Sequence, residues 1–548
     1  MSKPFVHARA PIRGAFRTDD AARAVYSESA AVLQRFPRAI AVPCDGDDLC
    51  TLVRWAAAER VPLIARGSGS SMAGGAVGDG VIVDLSRLTA LSPVDSTRRT
   101  VWGGAGVLRR QVEHAANAER LRFPVDPSSG TFATIGGMTA TNAAGPRTLA
   151  YGAMRRWVEA IDCVFADGSR ATVRRAAPLP AGIPALDRWA LVAEACQRAA
   201  QALAPARVRK ESSGYGVHDF AASGDLVDLL VGSEGTLALF AGVELRLTPV
   251  PAATASVLAS WPSLDLAVAG AALAREGGAA ACELLDRTFL DVARSGAPLP
   301  VPNEAECVLL IELEGLVEDG APPVAARAQA LAAAFERHGA SSVLVGLDGE
   351  SEEALWALRH AASPILARLD PHLKSMQLVE DGCVPPERLG DYVRGVRAAL
   401  EGARFRGVIF GHAGDAHVHA NALVDVRDDD WQPRARQFFD QVVALTASLG
   451  GTLAGEHGDG RLRTPVLDQV WPPEARALFA RIKVAFDPAG ILNPGVKVPT
   501  AGEEGPLSRI KYDPSLSPLP TEARRALERV ERERAYDRNR LEMLAEPD

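Results

Sequence analysis

Hydrophobic and polar positions along the chain alternate between two periods. From residue 36 to about 250, short β-branched runs are separated by amphipathic stretches. "RAIAVP" (38–43), "PLIAR" (62–66) and "GVIVDLS" (80–86) predict three strands. "DGDDLCTLVRWAAAERV" (45–61) predicts a helix with an acidic, capping-type start. "VEAIDCVFADGSRATVRR" (158–175) predicts a hairpin turning at Asp167-Gly168. The prolines of "LTPVPAA" (247–253) mark a boundary. Beyond it, "ASVLASWPSLDLAVAGAALAREG" and "CVLLIELEG" alternate strand and helix signals again, and 455–500 is rich in glycine and proline. "TEARRALERVERERAYDRNRLEMLAEPD" predicts a charged helix, read as a solvated surface element. The fold class expected is α+β with two domains.

Composition narrows the function. A chain of 548 residues, 47% apolar, is long enough for two or three domains with sizeable cores. A net charge of −8 argues against a nucleic-acid binder. Seven cysteines are scattered without a CxxC, which fits a reducing compartment and excludes a local cysteine-rich iron–sulfur motif. "MSKPFVHARAPIRGAFRTDD" has no apolar h-region, and no window reaches 18 uncharged apolar residues. The expectation is a cytoplasmic protein, with peripheral contact at the inner membrane left open.

Two kinds of segment carry chemistry. "ARGSGSSMAGGAVGDGVIVDLSRL" (65–88) joins two predicted strands through glycines and serines whose backbone N–H groups suit a pyrophosphate. "FPVDPSSGTFATIGGMTATNAAGPRTLAYGAMRRWV" (123–158) is a long polar-glycine segment, and segments of that length without regular structure are usually functional. The other kind holds histidines. "GHAGDAHVHA" (411–420) carries His412, His417 and His419; on a strand the last two share a face. "GEHGDGR" (455–461) adds Glu456 and His457. Two imidazoles and a carboxylate are a common transition-metal set with positions left for substrate or water; polar turns without metal are the alternative.

In order along the chain, "RGSGSSMAGG", "PVDPSS", "ATIGGMTATNAAG", "YGAMRRWV", "ADG", "SSGYGV", "GSEGTL", "GHAGDAHVH", "GEHGDG" and "FDPAGILNPG" resemble the PCMH/vanillyl-alcohol-oxidase-type FAD-binding family. The branch is that of D-lactate dehydrogenase, glycolate oxidase and D-2-hydroxyglutarate dehydrogenase. The resemblance runs from about residue 26 to about 500. It implies an arm (1–35), a two-subdomain FAD-binding domain (36–250), a cap or substrate domain (251–455), a segment closing over the flavin (456–504) and a charged helical tail (505–548). It implies that Arg66, Gly67, Ser68, Gly69, Ser70 and Ser71 wrap the FAD pyrophosphate. Pro124, Asp126, Thr134, Gly136, Gly137, Asn142, Gly145, Tyr151, Glu234, Gly235 and Asn493 are implied along the cofactor. Relatives with covalent FAD carry a histidine where this chain has Ser70, so non-covalent FAD is expected. The resemblance also implies His412, His419 and Glu456 as ligands of a divalent metal, zinc or manganese, with His457 as general base. Where the family has Gly-Asn this chain has Ala416-His417. His417 is read as an unrelated surface residue, with a group behind the ligands as the alternative.

The chemistry implied is oxidation of a D-2-hydroxy acid to the 2-oxo acid, which needs a proton acceptor, a hydride acceptor and a cation for the carboxylate. "EALWALRHAASPILARL" (353–369) has helical periodicity with Arg359 and Ser363 on one face. By resemblance Arg359 is the substrate cation, with Ser363 beside it and Asn421 facing the substrate or flavin. Val379 stands where some relatives carry a lysine, and Val496 interrupts the usual Asn-Pro-Gly-Lys run before Lys497. The electrons are expected to leave to a separate acceptor: an electron-transfer flavoprotein, a quinone or an iron–sulfur subunit. A homodimer is a compatible assembly. An oxygen-using oxidase, a non-haem iron oxygenase and a catalytically silent flavin-binding subunit are the competing readings.

Overall fold

The computed structural model describes residues 9–204, 207–296, 298–315, 323–360, 372–502 and 504–545. The predicted local elements form for the reasons their sequences give. The helix Gly46–Glu59 starts on Asp45, whose carboxylate accepts from the Asp48 N–H, and presents Leu49, Leu52, Val53 and Ala56 to the core. It packs beside a four-stranded sheet in the order β1 (Ala15–Arg17), β2 (Ala39–Val42), β4 (Val81–Asp84), β3 (Leu63–Arg66). The β2–β4 and β3–β4 pairs are parallel, and β1 joins antiparallel, so within the segment before residue 36 Ala15–Arg17 is built into the sheet.

A second four-stranded antiparallel sheet has the order β5 (Thr100–Gly104), β9 (Leu239–Arg246), β7 (Val158–Val164), β8 (Arg170–Arg174). The expected hairpin is β7–β8, and Gly168 takes the left-handed conformation at its turn (φ +76°). A small pair, β6 (Leu121–Arg122) with β10 (Thr248–Pro249), lies where the chain leaves this region.

The rest of the strands form one antiparallel sheet: β14 (Ser342–Gly346), β11 (Ala253–Trp261), β13 (Cys307–Gly315), β12 (Ala281–Asp286), β17 (Arg406–His412), β18 (His417–Asp425) and β15 (Leu373–Met376). β16 (Gly382–Cys383) pairs with β18 as well. Helices Leu264–Glu276, Val324–Arg337, Leu389–Gly402 and Trp431–Ser448 supply buried apolar faces to this half of the molecule. After the helix Pro473–Phe486 the chain returns to the first sheet: the Leu63 N–H donates to the Ile491 carbonyl and the Asn493 N–H to the Leu63 carbonyl.

The segment beyond 505 differs from its reading as a solvated helix. Helix Thr521–Glu533 buries Ala523, Ala526, Leu527 and Val530 in one cluster with Tyr26, Ile40, Val42, Ile64 and Ile82. Its apolar stripe is two alanines, a leucine and a valine on one face, which abundant Arg and Glu mask in the sequence. No described helix is long and apolar enough to cross a membrane.

Candidate active site

A cavity runs between the first two sheets and reaches the second histidine motif. Its wall includes Arg66 to Met72, Thr134, Gly136, Gly137, Glu234 and Gly235, with Glu456 and His457 at one end. The loop after β3 lies close against its neighbour: a Cβ on Gly67 would meet Thr134 Oγ1 at 2.3 Å. Ser71 Oγ is buried there without a partner, a polar atom aimed at whatever fills the cavity. Narrow, glycine-walled and lined by such donors, the cavity suits the extended diphosphate of a dinucleotide.

Pro124, Asp126, Asn142, Gly145, Tyr151 and Asn493 stand off this wall. Asp126 pairs with Arg147, and Tyr151 hydrogen-bonds Arg122 (2.7 Å) and Glu314. Asn142 Oδ1 accepts from the Arg155 N–H at 3.0 Å. The Gly145 carbonyl accepts from Lys210 at 3.3 Å. Asn493 donates to the Glu234 and Gly75 carbonyls, pinning the returning segment to two parts of the cavity wall. Glu234 accepts from the Asp459 and Gly460 N–H groups and pairs with the buried Lys497 at 3.0 Å. Lys497 therefore ties the cavity wall to the "GEHGDG" loop.

The histidines sit on a hairpin. β17 and β18 pair with His412 opposite His417 and Phe410 opposite His419, and Ala413–Asp415 form the turn. Ala416 closes that turn at φ +54°, the left-handed region where glycine fits without strain.

Three ring nitrogens converge on one carboxylate oxygen. Glu456 Oε1 lies 3.4 Å from His412 Nε2, 3.3 Å from His419 Nε2 and 3.7 Å from His457 Nε2. The opposite nitrogen of each ring is held by an acid. His412 Nδ1 meets Glu283 Oε1 at 2.5 Å; His419 Nδ1 and His457 Nδ1 meet the Glu380 carboxylate at 3.4 and 3.0 Å. Carboxylates behind imidazoles fix the tautomer and turn the free nitrogen inward. His412, His417, His419 and Glu456 each offer a donor atom within 4.8 Å of the others, and Glu380, Asp381, His419 and His457 form a second such group.

His417 differs from its reading as a surface residue. It is 0% exposed, with Nε2 on Asp381 Oδ1 at 2.7 Å, so it is no surface residue. A Cβ on Gly455 would meet its ring at 2.7 Å, which is why the second motif opens on glycine. Burial pushes its pKa down to about 3, more than the Asp381 hydrogen bond restores. For His419 burial also opposes the charged form, but Glu380 and Glu456 outweigh it and lift the pKa to about 10. His457 is raised too: burial opposes, and Asp381 and Glu380 prevail.

Five residues of this cluster escape the sequence reading. Glu283, on β12, accepts from Arg359 Nε at 2.8 Å through its second oxygen; against the cost of burial, His412 and Arg359 hold its pKa at about 2. Lys210, fully buried, pairs with Glu456 Oε2 at 3.1 Å. Asp381 caps the Glu456 and His457 N–H groups at 3.2 and 2.8 Å. Glu380 also takes Arg463 at 2.7 Å. "VEDGCVP" carried the signal for Glu380 and Asp381, two acids in a run that is otherwise apolar; "ACELLD" carried it for Glu283. Carboxylates outnumber cations: Glu283, Glu380, Asp381, Asp415 and Glu456 are buried with Lys210 and Arg463, Arg359 is partly buried beside them, and Arg209 sits at the half-exposed edge. Protonated imidazoles or a bound cation must meet that excess.

Arg359 lies within this network, its guanidinium over the Phe410 ring at 4.6 Å. Asn421 follows His417 and His419 on the same face of β18. Ser363 lies outside the described residues.

Comparison with known proteins identifies the family. A model described as an FAD binding domain matches residues 37–174, and one described as the C-terminal domain of FAD linked oxidases matches 250–496. The D-lactate dehydrogenase of Archaeoglobus fulgidus is 30% identical over 457 residues, covering 83% of this chain and 89% of that one. The chain belongs to the FAD-linked oxidases. Within this family the glycolate oxidase subunit GlcD of Bacillus subtilis (strain 168) is 29% identical, over 88% of this chain and 93% of its own. The D-2-hydroxyglutarate dehydrogenase of Escherichia coli (strain K12) is 29% identical over 90% of this chain, which spans 51% of that longer protein. Among solved structures, 4-ethylphenol oxidase from Gulosibacter chungangensis has a TM-score of 0.64 at 16% identity, over 88% of this chain and 94% of that one. P-cresol methylhydroxylase has 0.64 at 14%, over 89% and 95%. These two share the fold, the PCMH type of FAD-linked oxidase.

Proposed function

We propose that this FAD-linked oxidase converts a D-2-hydroxy acid to the 2-oxo acid, with a divalent metal beside the flavin and His457 as the base. The observation that carries the reading is the convergence of three Nε2 atoms on Glu456 Oε1 at the end of the glycine-walled cavity. The donor set fits a metal. His412, His419 and Glu456 would hold it, and zinc or manganese suits two imidazoles and a carboxylate. Bound flavin supplies the hydride acceptor, and bound metal supplies Lewis acidity toward the substrate oxygens. His457, on the cavity wall with Nδ1 fixed by Glu380, takes the hydroxyl proton at Nε2. Arg359 grips the substrate carboxylate, assisted by Asn421 and Ser363.

The names of the relatives, glycolate, D-lactate and D-2-hydroxyglutarate enzymes, support the hydroxy-acid class. Ser70 supports non-covalent FAD, since a serine cannot form a histidyl–flavin bond. Six of the seven cysteines are buried, and none forms a CxxC; this supports passage of electrons to a separate acceptor. Anaerobic addition of D- and L-2-hydroxy acids to the flavin-loaded protein tests the reading. The D-enantiomer should bleach the flavin; bleaching by neither enantiomer would remove the proposal, and rapid reoxidation by air alone would make the enzyme an oxidase.

A further inference from the structure

The segment beyond 505 lies outside both matched family regions, yet it reaches the loop that walls the cofactor cavity. Arg540 is 3% exposed, and its Nη2 donates to the Ser68 carbonyl at 3.1 Å. Its Nη1 is used to hold the segment itself, donating to the Ala535 and Arg538 carbonyls. Six residues earlier, Arg534 comes within 3.5 Å of the Ser128 carbonyl and stands over the Phe132 ring, which also packs on Tyr536. Asp537 pairs with Arg110 at 2.8 Å, and Glu542 with Arg87 at 2.7 Å. Ser68 and Ser128 both line the large cavity, on its two different loops. The segment therefore spans both loops from outside.

Behind the Ser68 loop is a second space, whose wall includes Tyr26, Arg66, Ser68, Thr134, Tyr536 and Arg540. Arg66, Gly67, Ser68 and Thr134 are walls of both spaces, so the loop is a thin partition between them. Two buried guanidiniums border it with donors unused: Arg66 Nη2 and Arg540 Nε have no hydrogen-bond partner. The Asp84 carboxylate on that wall is already taken by the Tyr26 hydroxyl and the Ser86 N–H. Burial, and then the neighbouring charge of Arg540, bring the Arg66 pKa down to about 10, although the Asp84 carboxylate acts in the opposite sense.

We propose that Arg540 is a positioning residue for the FAD diphosphate: it fixes the 66–71 loop through the Ser68 carbonyl and, with Arg66, places positive charge behind that partition. The anionic diphosphate belongs on the loop's other side, where the loop walls the cavity and its backbone N–H groups are the donors a diphosphate would use. Fixing the carbonyl fixes the peptide plane it belongs to, and two guanidiniums set against the single Asp84 carboxylate in a desolvated wall favour an anion across it. The proposal rests on FAD binding and is independent of the substrate.

The test is FAD release from the holoenzyme on dilution, followed by the fluorescence of freed flavin, beside thermal melting of the apoprotein. Arg540→Ala should release FAD about tenfold faster, the loss of one charge-assisted contact, with apoprotein melting close to the parent. Arg540→Lys should fall between the two. Arg534→Ala, a change at an exposed residue, should accelerate release in the same direction and less. Release at the parental rate from Arg540→Ala would overturn the proposal. So would release that rises only in step with a lower apoprotein melting temperature and that Arg540→Lys does not restore. Should Arg540→Ala fail to fold, parental release from both Arg540→Lys and Arg534→Ala overturns it equally.

Discussion

His412 Nδ1 lies 2.5 Å from Glu283 Oε1, joining two strands that are neighbours in one sheet although the residues are 129 apart in sequence. The contact decides which face of the imidazole is available. With Nδ1 occupied, Nε2 is turned to Glu456. Replacing Glu283 by Gln keeps the shape and weakens the acceptor. Metal affinity should fall about 10- to 100-fold, the usual cost of losing a carboxylate behind a ligating histidine, while FAD content is unchanged. Metal titration of the FAD-loaded variant checks this; parental affinity would detach Glu283 from the site.

Glu283 also binds Arg359, so that arginine has two roles to separate. If Arg359 is the substrate cation, Arg359→Ala should raise KM for the hydroxy acid by about tenfold or more, consistent with the loss of a charge-assisted bidentate contact, and leave metal content intact. Loss of metal with an unchanged KM would assign it to the support of His412 instead. Steady-state kinetics with metal analysis of the same sample distinguishes the two.

Lys210 is buried against Glu456. Lys210→Ala leaves a buried carboxylate short of its cation, and the metal-free protein should lose about 3–5 kcal/mol of stability. Chemical denaturation of the metal-free variant reads it. A loss under 1 kcal/mol would mean that solvent or another cation reaches Glu456.

Ala416 occupies the left-handed turn between the two histidine strands. Ala416→Gly removes the steric strain and should stabilise the protein by about 1 kcal/mol, seen as a higher denaturation midpoint. A lower midpoint would show that the alanine methyl packs more favourably than its backbone is strained.

What the sequence disclosed was what is local. The β3–β4 loop, the β7–β8 hairpin and the Asp45-capped helix are set by residues within a few positions of one another, so periodicity and turn chemistry located them. The pairing of His417 and His419 on one strand face was legible for the same reason. The acids behind the histidines were not. Glu283, Glu380 and Asp381 gain their roles only when distant strands and the "GEHGDG" loop meet, and nothing in the spacing of "ACELLD" or "VEDGCVP" names a partner. His417 was misread because its burial depends on Gly455 and Asp381, both far along the chain. The buried stripe of helix Thr521–Glu533 is only four residues, two of them alanine, set among many charges, so its apolar face does not stand out in the sequence.

The central claim is that metal on the His412–His419–Glu456 set and the base His457 together permit hydroxy-acid oxidation. Anaerobic single-turnover reduction of bound flavin by a D-2-hydroxy acid tests it most directly. It should be followed in the metal-loaded protein, in the metal-depleted protein and in His457→Ala, all retaining FAD. The account predicts fast reduction in the first, near-total loss in the other two, and recovery of the depleted sample when metal is restored. Equal reduction rates with and without metal, in protein verified to be metal-free, would contradict it.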